Sequence, residues 1–154
     1  MLLKKRGYTA IEIVLVIGIM GILVTMVGLS FSAFRNSNIL AVETEKVVSL
    51  IAQARNDTLS SKNDTVYGVR IESNRVVLFE SDTFSEVDPD NIEISLDTSV
   101  ALTDIVLNGG GSDIVFKRLS GKTNEHGTMS LVLTSDPTTK KTITIYATGL
   151  VDIN

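Results

Sequence analysis

The chain has 154 residues, no cysteine, 44% hydrophobic residues and a net charge of −4. Without cysteine there is no disulfide framework, thiol nucleophile or thiolate metal site. Beyond the basic stub Lys4, Lys5 and Arg6 the balance falls to −7, 11 basic against 18 acidic residues, so the rest of the chain offers no global electrostatic case for nucleic acid or anionic lipid.

The length suits one membrane segment plus one domain of about 120 residues with a single core. Glu12 is a lone carboxylate at the edge of an uncharged run, Ile13 to Phe34. A charge at membrane depth is disfavoured by roughly 2.5–3.5 kcal/mol on insertion scales, so it usually has a task and a partner. The run is about 22 residues, or about 33 Å of helix, against a hydrocarbon core about 30 Å thick. The basic stub before it predicts a cytoplasmic N-terminus, which places the bulk of the chain outside the cytoplasm. Gly18, Gly21 and Gly28 interrupt the run, as close-packing points, as weak points in the helix, or as the glycine common in membrane helices.

From Arg35 the apolar residues Leu40, Val47, Leu50, Ile51 and Ala54 recur at helical spacing. No proline occurs before Pro89, so one helix is expected from Thr9 to Leu59, about 75 Å long. That is too long for a small globule, and the helix is expected to protrude. Ser60-Ser61-Lys62-Asn63-Asp64 stops it.

After Asp64 the pattern alternates. Expected strands are 66–71, 75–80, 92–96, 100–107, 114–119, 128–133, 142–147 and 150–153, with Glu72-Ser73-Asn74 as a hairpin and Gly109-Gly110-Gly111, Asp136-Pro137 and Thr148-Gly149 as turns. Seven or eight short strands at this spacing predict an antiparallel sheet pair or sandwich. The fold class is therefore α+β: a long N-terminal helix, membrane-spanning in its first half, packed on a C-terminal antiparallel β-domain.

No catalytic constellation stands out, so no enzyme activity, cofactor or metal is expected. His126 lies beside Gly127 with no adjacent nucleophile, as a solvated loop histidine does. Asp82, Glu86, Asp88, Asp90 and Glu93 form an acidic run whose spacing does not match a calcium-binding helix–loop–helix. Gly109-Gly110-Gly111 precedes a strand, not a Lys-Ser/Thr helix start, so it is no phosphate loop. Asn56-Asp57-Thr58 and Asn63-Asp64-Thr65 have the form of glycosylation triplets. Lys117, Arg118, Lys122, Lys140 and Lys141 form a local basic candidate in an otherwise acidic domain.

Lys5-Arg6-Gly7-Tyr8-Thr9-Ala10-Ile11-Glu12, followed by Ile13-Val14-Leu15-Val16-Ile17-Gly18-Ile19, closely resembles the class III signal of type IV pilins and type II secretion pseudopilins. Tyr8 stands where phenylalanine is common and Ala10 where leucine is. Phe116-Lys117-Arg118-Leu119-Ser120-Gly121, Gly127 to Leu131, Thr142 to Tyr146 and Gly149-Leu150-Val151 resemble the H-type minor pseudopilins and related minor pilins. The resemblance implies a leader at 1–7, a transmembrane assembly helix at 8–34, its amphipathic continuation at 35–61 and an extracytoplasmic β-domain at 62–154. It also implies that prepilin peptidase cuts between Gly7 and Tyr8 and N-methylates Tyr8. Glu12, fifth in the mature chain, would then pair with the Tyr8 amine of a neighbour. The implied partners are other pilins, the peptidase and the inner-membrane assembly platform, and the implied function is a structural subunit of a pilus or pseudopilus. A tip module for DNA uptake or adhesion and a major pilin are the alternatives; net charge does not support a nucleic-acid partner. Major pilins of this size more often close their C-terminal region with a disulfide, which this sequence cannot form.

Overall fold

The computed structural model describes residues 8–154, without the side chains of residues 27–33. The chain divides into two compact units, Met1–Asn36 and Ser37–Asn154. Helix α1 runs Ala10–Leu59, one residue inside the expected start. It ends where Ser61 turns left-handed at φ 53°, followed by Asn63 at 52° and Asp64 at 59°; Asn and Asp tolerate that region better than most residues. A single 3-10 turn, Lys62–Asp64, leads into the strands.

In the first unit the large apolar side chains from Ile11 to Met26 are 50–77% exposed. Among the described residues no helix is long and apolar enough to cross a membrane. The remainder of the expected 13–34 span falls mostly on 27–33, outside the described side chains.

In the second unit α1 becomes one-faced. Leu40, Val47, Leu50, Ile51, Ala54 and Thr58 are buried along a single helical stripe. Two four-stranded antiparallel sheets complete the core. The first, in the order β3-β2-β1-β5, comprises β1 (Tyr67–Ile71), β2 (Arg75–Glu80), β3 (Ile92–Ser95) and β5 (Asp113–Val115). The second, in the order β4-β6-β7-β8, comprises β4 (Val100–Leu107), β6 (Gly127–Leu133), β7 (Asp136–Ile145) and β8 (Val151–Ile153). A single apolar cluster joins the helix stripe to both sheets through Val69, Leu78, Ile114, Phe116, Leu131 and Ile143.

β4 has the expected bounds but carries a register shift between Thr103 and Val106, where Asp104 adopts φ 50°; the extra residue bends the edge strand. The strand expected over 114–119 stops at Val115, because Phe116 makes only a bridge to Thr123 and Leu119 turns left-handed at φ 66°. β7 begins at Asp136 instead of Thr142, pairing Leu133 with Asp136 across a two-residue turn. Its first residues are polar and exposed, so no apolar alternation marks them.

Gly68 sits opposite Phe79 in the β1–β2 ladder. A Cβ at Gly68 would lie 2.8 and 2.9 Å from Cε2 and Cε1 of that ring, well inside ordinary carbon contact at about 3.5–4.0 Å. Phe79 is thereby buried over the glycine, with Phe84 edge-on to it at 5.5 Å and the Arg70 guanidinium 5.0 Å over Phe84.

Candidate assembly segment

The start of α1 closes on itself. The Thr9 N–H donates to Glu12 Oε2 at 3.4 Å, and the Glu12 N–H donates to Thr9 Oγ1 at 3.3 Å. This reciprocal pair is a capping box, with Thr9 as N-cap and Glu12 as the third helical residue. The Ile13 N–H donates to the Thr9 carbonyl at 3.2 Å and completes the turn. The carboxylate therefore sits at the partly positive end of the helix, the favoured place for an anion. Tyr8, 81% exposed, joins Glu12, Ile13, Val16 and Ile17 in lining a shallow, mostly apolar depression. Glu12 is thus an exposed charge held by its own helix and surrounded by apolar side chains.

Gly7 and the stub Lys4, Lys5 and Arg6 lie outside the described residues. Gly18 and Gly21 face open space, since a Cβ at either would meet nothing within 4 Å. Gly28 falls in the segment whose side chains are not described.

The other sequence candidates are spread over the β-domain. His126 is exposed, its ring Nδ1 3.0 Å from the Asn124 carbonyl. Gly109 and Gly110 turn the chain at φ 93° and 74°. Two members of the acidic run, Glu86 and Glu93, are held with Glu72 by one cation, Arg75. Its Nε donates to Glu72 Oε2 at 2.8 Å, its Nη1 to Glu93 Oε2 at 2.8 Å, and its Nη2 to Glu86 at 2.9 and 3.0 Å. The hydrogen bond from Arg75 holds the Glu72 carboxyl below its ordinary value, and the three carboxylates raise Arg75. Among the described residues no group of three or more acidic or histidine side chains is placed to hold a metal ion.

Of the two glycosylation-type triplets, the first is closed off. Thr58 is fully buried; its Oγ1 donates to the Ala54 carbonyl at 2.9 Å and accepts from the Tyr67 N–H at 2.9 Å. In the second, Asn63 Nδ2 donates to Glu80 Oε2 at 3.1 Å. The basic candidates do not converge. Lys117 bonds Asn124 and Arg118 bonds Asp64, whereas Lys140 and Lys141 pair with Val132 and Leu131 along β7.

No motif in the sequence singles out Arg55. Its Nε donates to the Gly121 carbonyl at 3.2 Å, beneath Gly149 at φ +77°, where a Cβ would overlap the Gly121 oxygen. The loop leading into β6 and the β7–β8 turn, at one end of the second sheet, thus close over one arginine of α1. The 66-residue separation leaves no local signal for this contact.

A long helix whose second half packs on two antiparallel sheets is the type IV pilin and pseudopilin fold. The type IV minor pilin FimU of Pseudomonas aeruginosa superposes with a TM-score of 0.58 at 11% identity, covering 75% of this chain and 92% of that one. The minor pseudopilin EpsH of the Vibrio cholerae type 2 secretion system gives 0.56 at 13% identity, covering 75% and 95%. No protein-family model and no curated protein matches the sequence.

Proposed function

We propose that this chain is a structural subunit, a minor pilin or minor pseudopilin, of a type IV pilus or type II secretion pseudopilus, assembled through its N-terminal helix. The observation that carries this reading is the apolar surface from Ile11 to Met26. Ile13, Val14, Leu15, Val16 and Ile17 are consecutive, and all are at least half exposed. Apolar side chains on every side of a helix require cover on every side. Lipid supplies it before assembly and neighbouring helices supply it afterwards. The pilin fold of the second unit agrees with this, and both similar structures being minor subunits favours the rarer component.

The chain starts as a precursor cut between Gly7 and Tyr8, with N-methylation of the new Tyr8 amine. Glu12, oriented by Thr9, then pairs with the Tyr8 amine of an adjacent subunit. An unpaired carboxylate among apolar helices is disfavoured and a paired one is tolerated, so the pair sets axial register more than it adds net affinity.

The test is co-expression with a prepilin peptidase and a filament system. Intact mass should place the new N-terminus at Tyr8, and the chain should sediment with sheared filaments or the secretion complex. Glu12→Gln should leave membrane insertion intact and lower incorporation. An uncut chain, or one absent from every such assembly, refutes the reading.

A further inference from the structure

The turn between β4 and β5 carries an asparagine followed by a glycine, Asn108-Gly109, and no other asparagine in the chain precedes a glycine. The Gly110 N–H donates to the Leu107 carbonyl at 3.0 Å, and of the two residues between them only Gly109 has a positive φ, 93°. This is the type II pattern, in which the residue after the asparagine takes a conformation that glycine enters freely. Both residues are exposed. The bond that closes the turn uses Gly110, so the Gly109 N–H has no partner among the described residues. A Cβ at Gly109 would meet nothing within 4 Å, so the space around the turn is open.

The Asn108 side chain ties this turn to a second loop. Its Nδ2 donates to the Asn124 carbonyl at 2.9 Å, and its backbone N–H donates to the His126 carbonyl at 2.8 Å. His126 Nδ1 lies 3.0 Å from the same Asn124 carbonyl; a carbonyl only accepts, so that nitrogen carries the proton. Lys117 Nζ donates to Asn124 Oδ1 at 2.6 Å. Asn124 is thus held by three donors, one of them the side-chain amide of Asn108.

We propose that Asn108 is a site of spontaneous deamidation, and that its conversion opens the contact between these two loops. The Gly109 nitrogen attacks Cγ of Asn108. A bond forms between that nitrogen and Cγ, the Cγ–Nδ2 bond breaks, and ammonia leaves with the proton that the Gly109 nitrogen gives up. One water then opens the succinimide at either of its carbonyls, to aspartate or isoaspartate. Glycine favours the ring because no Cβ obstructs the approach of its nitrogen. The product carboxylate only accepts hydrogen bonds, so it faces the Asn124 carbonyl as acceptor against acceptor and the side-chain tie is lost. In the isoaspartate the main chain is also lengthened, within a run of three glycines, 109–111, that lies outside β4 and β5. The strands therefore keep their register while the turn comes free and an already acidic domain gains a negative charge.

The test incubates the full-length chain in detergent at mildly alkaline pH, folded and, in parallel, unfolded in urea. Peptide mapping of the folded chain should place a mass gain of about 1 Da at Asn108 ahead of every other asparagine. A protein isoaspartyl methyltransferase should label the same peptide, and conversion should rise in step with hydroxide. Asn108→Gln keeps an amide but closes only a larger ring, and should show neither the mass gain nor the label. Amide protection over 123–126 should fall as the chain converts, and should be low from the start in Asn108→Asp, while β1 and β6 stay protected. A folded chain that keeps Asn108 intact while the unfolded chain converts overturns the site, because the bond to Asn124 then holds the side chain out of reach. Conversion at Asn108 with protection over 123–126 unchanged overturns the opening of the contact.

Discussion

Replacing Thr58 by valine tests how the last turn of α1 is tied to the first strand. The substitution keeps the branched shape and removes the oxygen. Thr58 Oγ1 is the acceptor for the Tyr67 N–H at 2.9 Å, and both residues are buried. Valine leaves that N–H without a partner, which costs about 1–3 kcal/mol. Serine keeps the oxygen and loses one methyl group, at about 0.8 kcal/mol. Thr58→Val should therefore be the more damaging change despite its better fit, by up to about 2 kcal/mol. For a unit of about 100 residues, at about 4–8 °C per kcal/mol, that separates the two melting temperatures by up to about 16 °C. Thermal unfolding of the full chain in detergent, followed by circular dichroism in the β-sheet region, measures it. If the valine variant melts at or above the serine variant, the Thr58 bridge does not stabilise the helix–strand junction.

Two further outcomes follow from the first sheet. Gly68→Ala should destabilise the second unit by about 1–3 kcal/mol, because the new methyl overlaps the Phe79 ring, and Phe79→Leu in the same chain should recover part of the loss; thermal melts of the single and double variants check this. Arg75→Gln should raise hydrogen exchange across residues 81–91 while the core strands stay protected. In the parent chain the Arg75–Glu72 contribution acts with a defined sign: Glu72 is held below its ordinary value of 4.5, so the contribution is full above that pH and is lost as pH falls through the lower folded value. Protection of the loop, measured against the intrinsic exchange rate at each pH, should fall on acidification in the parent chain and change little in Arg75→Gln.

Much of the backbone was legible because its signals are local. The change from Leu40-Val47-Ile51 spacing to the alternation after Asp64 marks the passage from helix to sheet, and β4 is bounded by turn residues on both sides. β7 was misread because its first six residues carry no apolar face for periodicity to find. The Thr9-Ala10-Ile11-Glu12 box is legible in the sequence, since Thr followed three residues later by Glu before an apolar run is the capping-box pattern. The Arg75 cluster was not legible as such. Its partners lie 3, 11 and 18 residues away, and only the β2–β3 register brings Glu93 beside it. The same holds for Arg55, whose partner is supplied by the connection between β5 and β6, 66 residues on.

The capping box also restricts where the chain can be trimmed. Its donor is the amide between Tyr8 and Thr9, so an N-terminus at Tyr8 leaves both bonds in place and the helix begins as before. Removal of one more residue turns that amide into an ammonium group. The reciprocal cap is then replaced by a charged end placed against its own Glu12, and the carboxylate is neutralised within the chain instead of being left for a neighbour.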